Sequence, residues 1–284
     1  MNGFLSLGKI EQHAFHQKEF LVNKKSLREV AKSFNFLIDF SKDKIIYGIN
    51  TGFGPMAQYK IENHELNQLQ YNLIRSHSCG VGKALNEIYA RSVVIARINN
   101  FLRGNSGVSP EVIKQLQLFL NHNITPEIYE HGGVGASGDL VQLAHLGLNL
   151  IGEGNVYHDG KGQKANDVFK KLKIKPLELK LRDGLAIING TSCMTGIASI
   201  NLIYSYRLLN LAIAASAIIN ELVEAFDDSF SEGLNKVKLH KGQKAVARKM
   251  RSFLSDSSLI ISRKELFSDE KELQRSQFKN KIQE

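Results

Sequence analysis

Cysteine is scarce in this sequence of 284 residues, with Cys79 and Cys193 the two that occur. Two thiols cannot build a disulfide framework or a cysteine-based zinc site, and they suit a reducing cytoplasm. The opening stretch, Met1 to Ile10, is too short in its apolar part and too polar beyond it for a secretory signal. Metal-ligand spacing is missing as well. His131, His145 and His240 have no cluster of acids beside them, so we expect no metal and read these histidines as structural or supporting residues. The formal charge is +9, yet no single basic block accounts for it. Cations thicken at Lys161 to Arg182 and at Lys236 to Arg251 without interleaved aromatics, which favours a solvated basic surface over a nucleic-acid partner. Such a field also suits an anionic small substrate. Finally, charge nearly vanishes from Thr195 to Asn220, where Arg207 stands alone. That run is long enough to cross a bilayer, but its Ser, Asn, Thr and Tyr content favours a buried central helix of a bundle or oligomer over a membrane span.

Apolar residues make up 43% of the chain, enough for one large domain or two smaller ones. From Ser26 to Phe40, Leu27, Val30, Ala31, Phe34, Leu37 and Ile38 recur at helical spacing. Similar spacing predicts helices over Leu66 to Ser76, Ile88 to Leu102, Asp139 to Ile151 and Gln243 to Leu254. Ser109 before Pro110 is a candidate N-cap. Lys44 to Ile49 reads as a β-type run that breaks into the glycine loop Asn50 to Gly54. A small hairpin is expected around Val156 and Tyr157, and Lys173 to Leu181 reads as extended. The charged stretch Lys264 to Glu284 ends within a helical pattern.

Chemistry concentrates at Gly133-Val134-Gly135-Ala136-Ser137-Gly138-Asp139. Glycines on both sides let the backbone fold tightly enough for the Gly138 nitrogen to attack the Ala136 carbonyl. Loss of two waters would then leave the Ser137 side chain as an electrophilic methylene. At the start of the Asp139 helix, the positive end of the helix dipole would favour charge developing on addition. The same loop reads equally as an anion-binding or purely conformational turn before a helix. Tyr47, on a glycine-flanked loop, is either a mobile side chain able to enter a pocket or a tyrosine packed on the core. Asn189 is either a helix cap or an amide able to donate and accept at a substrate.

Four blocks decide between these readings: Tyr47 to Gly54, Asn72 to Gly82, Gly133 to Leu146, and Ile188-Asn189-Gly190-Thr191. In this order they resemble the aromatic amino acid ammonia-lyase family, the histidine, phenylalanine and tyrosine ammonia-lyases, over nearly the whole chain. The resemblance implies a mainly α chain with the ammonia-lyase/aspartase-like superfamily fold. Residues 1–190 would form a small mixed N-terminal region bearing the electrophile, and 191–284 the start of a long helical bundle. It implies a methylidene-imidazolone (MIO) prosthetic group formed autocatalytically from Ala136, Ser137 and Gly138, with Asp139 supporting its formation. Tyr47 would take the substrate's β-proton and Asn189 would contact the group and the substrate's amine. Ser76 and His77 would read the side chain, and their polar character favours L-histidine, giving urocanate, with L-tyrosine or L-phenylalanine as alternatives. A related aminomutase shares the electrophile, and the mode of attack on it is left open.

The family's chains are longer, and the expectation here is a truncated one. Beyond Glu284 they carry a Tyr-Ser-x-Arg-Cys-x-Pro-Gln segment whose arginine binds the substrate carboxylate, and they assemble active sites from several subunits of a homotetramer. We therefore expect the isolated chain to lack normal lyase activity unless a second polypeptide supplies the C-terminal half, with an inactive subunit of a larger assembly as the alternative. Apolar surface on Leu202 to Val223 would then stand exposed.

Overall fold

The computed structural model describes residues 5–42, 44–62 and 64–263 and is mainly α. In chain order the elements are α1 (Leu7–Ala14), α2 (Lys24–Ser41), α3 (Leu66–His77), β1 (Val81–Ala84), α4 (Glu87–Phe101), α5 (Pro110–Asn121), β2 (Thr125–Pro126) and β3 (Tyr129–His131). There follow α6 (Leu140–Leu150), β4 (Asn155–His158), β5 (Lys161–Lys164), α7 (Ala165–Leu172), α8 (Asp183–Ile188), α9 (Ser192–Leu222), α10 (Glu232–Lys236) and α11 (Lys241–Phe253). Strands β1 and β3 pair antiparallel, with Val81 opposite His131 and Ala84 opposite Tyr129. A second antiparallel sheet runs β2-β4-β5, in which β4 and β5 are the hairpin expected around Val156 and Tyr157. The charged stretch from Lys264 onward lies outside the described residues.

Contacts divide the chain between Ile203 and Tyr204. The first unit is organised around α4, whose Val93, Val94, Ile95, Ile98 and Phe101 are fully buried. Buried residues spread around the helix mean that it must be surrounded, and α1, α5 and β2 pack around it. Helix α9 starts against the same core: a Cβ at Gly196 would lie 2.7 Å from the Val93 amide nitrogen, so only glycine permits the approach. Ser92 Oγ donates to Gly196 O across it at 3.0 Å. Helices α3, α6 and α8 converge on Gly147, where a Cβ would meet Ile74 at 3.1 Å and Ile187 at 3.2 Å. The second unit, from Tyr204, holds the rest of α9 with α10 and α11 around Ile213, Ala217, Phe230, Ala247, Met250 and Leu254. By length and composition α9 is apolar enough to cross a membrane, and little of its apolar stretch is buried in the chain. Leu208, Leu211 and Leu222 stand among its exposed side chains.

One local expectation is corrected and two others gain detail. Lys44 to Ile49 is a turn and not a strand, because the Asn50 side chain captures the groups a ladder would need. It accepts from Ile46 N at 2.7 Å and donates to Lys44 O at 2.7 Å, with Gly48 at φ +76° completing the turn. Lys173 to Leu181 keeps an alternation, with Leu177 and Leu179 buried, yet joins no sheet. Its amides bond singly instead, Leu177 N to Leu150 O and Leu179 N to Tyr71 Oη. Ser109 occupies the N-cap position of α5 without a capping bond. Its hydroxyl donates to the buried carboxylate of Asp183 at 2.7 Å, which also accepts from Ser109 N and Lys180 N.

Asp183 therefore satisfies three donors at the entrance to α8. Asp183→Ala strands them in a dry site and should cost about 3 kcal/mol, measured as a lowered urea midpoint.

Candidate active site

The glycine loop folds into a hairpin in which Gly135 and Gly138 bridge each other, leaving Ala136 and Ser137 at the tip. Closing so short a turn needs left-handed backbone: φ is +77° at Gly135, +65° at Ser137 and +94° at Gly138. For Ser137 this conformation is strained. The strain is held from the other side of the site. Gly138 bridges Gly190 in parallel, Asp139 N donates to Gly190 O at 2.7 Å, and a Cβ on Gly138 would stand 2.2 Å from that oxygen. The Ala-Ser-Gly block and the Asn-Gly-Thr block are therefore in direct contact.

Asp139 sits at the N-cap of α6 but gives its side chain to another helix. Its Oδ2 accepts from Met194 N in the first turn of α9 at 2.9 Å. There a carboxylate satisfies an amide that the helix itself leaves unpaired and meets the positive end of the dipole. Next to it the Cys193 thiol is buried, and burial, reinforced by the Asp139 charge, pushes its pKa up to about 12.

Asn189 is the C-cap of α8, its amide donating to Leu185 O, while its side chain is exposed. Its backbone carbonyl accepts from Arg97 Nη2 at 2.7 Å. Arg97 projects from α4, is 2% exposed, and donates further to Ala186 O and, at 3.2 Å, to Ser192 Oγ. Burial pulls its pKa down to about 10 against the opposing attraction of Asp139. Nothing in the motif spacing marked this residue; the available signal was a cation within the mostly apolar run Ala90 to Ile98, a signal that Arg91 shares.

Ser76 and His77 end α3 as a pair. Both His77 Nδ1, at 2.9 Å, and Ser76 Oγ, at 3.1 Å, bond the Leu73 carbonyl. A carbonyl only accepts, so Nδ1 carries the hydrogen and Nε2 of the neutral ring is an acceptor. The following loop is fixed by His145, whose Nε2 accepts from Gly80 N at 3.0 Å. Burial pushes the His145 pKa down, which keeps that nitrogen free to accept. Tyr47 is half exposed and turned onto its own loop, edge-on to Phe53, with its hydroxyl accepting from Gly54 N at 3.4 Å. The neighbouring Gly48 anchors that loop: its carbonyl accepts from Gln70 Nε2 of α3, and a Cβ there would strike Leu185 of α8. Gln70 in turn accepts from Leu185 N. The structure thus joins the tripeptide and Asp139 directly to Gly190, the neighbour of Asn189, and ties the Tyr47 and His77 blocks to them through α3 and α8. Among the described residues no group of three or more His, Cys, Asp or Glu side chains is placed to hold a metal ion.

The aromatic amino acid lyase profile matches residues 5–282, and the chain belongs to that family. It is 40% identical over 232 residues to a probable histidine ammonia-lyase of Thermoplasma volcanium, covering 82% of this chain and 46% of the relative. It is 41% identical over 224 residues to a tyrosine 2,3-aminomutase of Chondromyces crocatus, covering 79% and 42%. The crystal structure of a tyrosine aminomutase from Streptomyces globisporus superposes with a TM-score of 0.87 at 34% identity, covering 94% of this chain and 52% of that one. The fold is therefore that of the ammonia-lyases and aminomutases, and the chain spans about half the length of the curated relatives it matches.

In the folded chain Cys193 should resist iodoacetamide at neutral pH while exposed Cys79 reacts. The mass of the native alkylated protein should show one adduct, and a second only after unfolding.

Proposed function

We propose that this chain supplies the electrophile-bearing half of an aromatic amino acid ammonia-lyase that releases ammonia from L-histidine to give urocanate. The observation that carries this reading is the Ala136-Ser137-Gly138 hairpin pinned through Gly138 and Asp139 against Gly190. Its residues fit a methylidene-imidazolone: the tip is already tightly turned, and the lack of a side chain at Gly138 is enforced by the Gly190 carbonyl. When formed, that group supplies an electrophilic carbon conjugated to a ring carbonyl.

The chain's own side chains would do the rest. Tyr47, on a loop whose hydroxyl contact is one long bond, swings to remove the β-proton. The exposed Asn189 amide holds the substrate's amine, donating and accepting. His77 Nε2 accepts a hydrogen from the substrate ring. Asp139 holds the starts of α6 and α9 together beneath the tripeptide.

A second reading, tyrosine as substrate with re-addition of the amine, is favoured by the likeness to the two tyrosine aminomutases. An acceptor nitrogen on His77 serves a phenol as well as an imidazole. In either reading the relatives' remaining length, on the same or a second polypeptide, supplies the carboxylate-binding residues and covers the exposed face of α9 in a homotetramer. The two free thiols support a cytoplasmic setting.

The test is to purify the 284-residue chain alone and with a complementary half of the family fold, and to offer L-histidine, L-tyrosine and L-phenylalanine. We expect urocanate from the complemented sample only, and a peptide spanning Ala136 to Gly138 lighter by two waters. Ser137→Ala should keep that peptide at its unmodified mass. An unmodified wild-type peptide would defeat the enzyme reading; β-tyrosine as product would install the aminomutase, and brisk ammonia release by the chain alone would remove the need for a second half.

A further inference from the structure

Arg97 is a buried cation whose hydrogen bonds go to neutral oxygens, and those oxygens lie at the two ends of one short turn. The carbonyls of Ala186 and Asn189 belong to the C-terminal end of α8, where unpaired carbonyls concentrate partial negative charge. The hydroxyl of Ser192 belongs to the start of α9. Between them runs Asn189-Gly190-Thr191. Gly190 lies so close that a Cβ on it would stand 2.4 Å from Arg97 Nη1, and its φ is +149°. The planar fork of a guanidinium meets such an array of acceptors in a way an ammonium cannot.

What this turn presents to the other side is the Gly190 carbonyl, bonded to Asp139 N and pressed on Gly138. The contact fixes the peptide plane that follows the Gly138 nitrogen. Resting on the proposed function above, we infer that Arg97 is a positioning residue for ring closure of Ala136-Ser137-Gly138, acting through Gly190. Ring closure forms a bond from Gly138 N to the Ala136 carbonyl carbon. The first water takes the Ala136 oxygen with hydrogens from the Gly138 and Ser137 nitrogens, and the second takes the Ser137 hydroxyl with its α-hydrogen. No oxidant is consumed. Every group named lies before Ile203, in one unit, so closure needs no second polypeptide.

The experiment follows the two-water mass loss of the Ala136 to Gly138 peptide over time in the full chain, for wild type, Arg97→Lys, Arg97→Met and Ser192→Ala. Far-ultraviolet circular dichroism and urea midpoints identify the folded samples. Because a displacement of about 1 Å costs on the order of 100-fold in a positioned reaction, both Arg97 variants should close about 100-fold more slowly while folded. Ser192→Ala, which removes one neutral acceptor, should slow closure about fivefold. Folded Arg97→Lys closing at the wild-type rate overturns the inference alone. If neither Arg97 variant folds, Ser192→Ala decides: slowed closure supports the inference and an unchanged rate overturns it. A wild-type peptide that never loses water overturns the inference together with the functional reading beneath it.

Discussion

The site depends on one close approach of two backbones, Gly138 against Gly190. A side chain at Gly138 would strike the Gly190 carbonyl, and one at Gly190 would strike the Arg97 guanidinium. Stacking two glycines and a buried cation in this order leaves the Ser137 tip no freedom to relax from its left-handed conformation. The surrounding helices exist, in functional terms, to keep those layers in register. Helix α4 carries Arg97 on a core that cannot shift, and α3, α6 and α8 interlock at Gly147. Asp139 ties the start of α6 to the start of α9.

Much of this was legible in the residues. Apolar spacing located α2, α3, α4, α6 and α11 to within a residue or two at most ends, because each buries a defined stripe or, for α4, most of its central residues. The four blocks stood out by their resemblance, in order, to those of the aromatic amino acid ammonia-lyases. Their mutual contact was not legible: nothing in the spacing of Gly138 and Gly190 states that their backbones touch. Polar side chains that bond at a distance defeated local rules repeatedly. Asn50 turns a strand-like run into a loop, Ser109 abandons its own helix for Asp183, and Arg97 has its partners far along the chain. Alternation at Leu177 and Leu179 reported burial correctly but said nothing of whether a strand partner existed.

The two units differ in how completely they satisfy themselves. The first holds a large buried core around α4, whereas α9 carries a long apolar surface that few of its own chain's residues cover. That asymmetry parallels the match to relatives about twice as long. Under the proposed function it would also separate two requirements on the molecule, since making the electrophile would draw on the first unit and using it would draw on the further length that the relatives carry.

The Gly138 to Gly190 contact has a consequence for the life history of the chain. Its two partners are distant in sequence, so an unfolded chain has no means of holding the tripeptide in the reactive shape. Once closed, such a ring would not reopen when the protein unfolds. The two missing waters would thus be a covalent record, borne by each molecule, that it had reached its native state at least once.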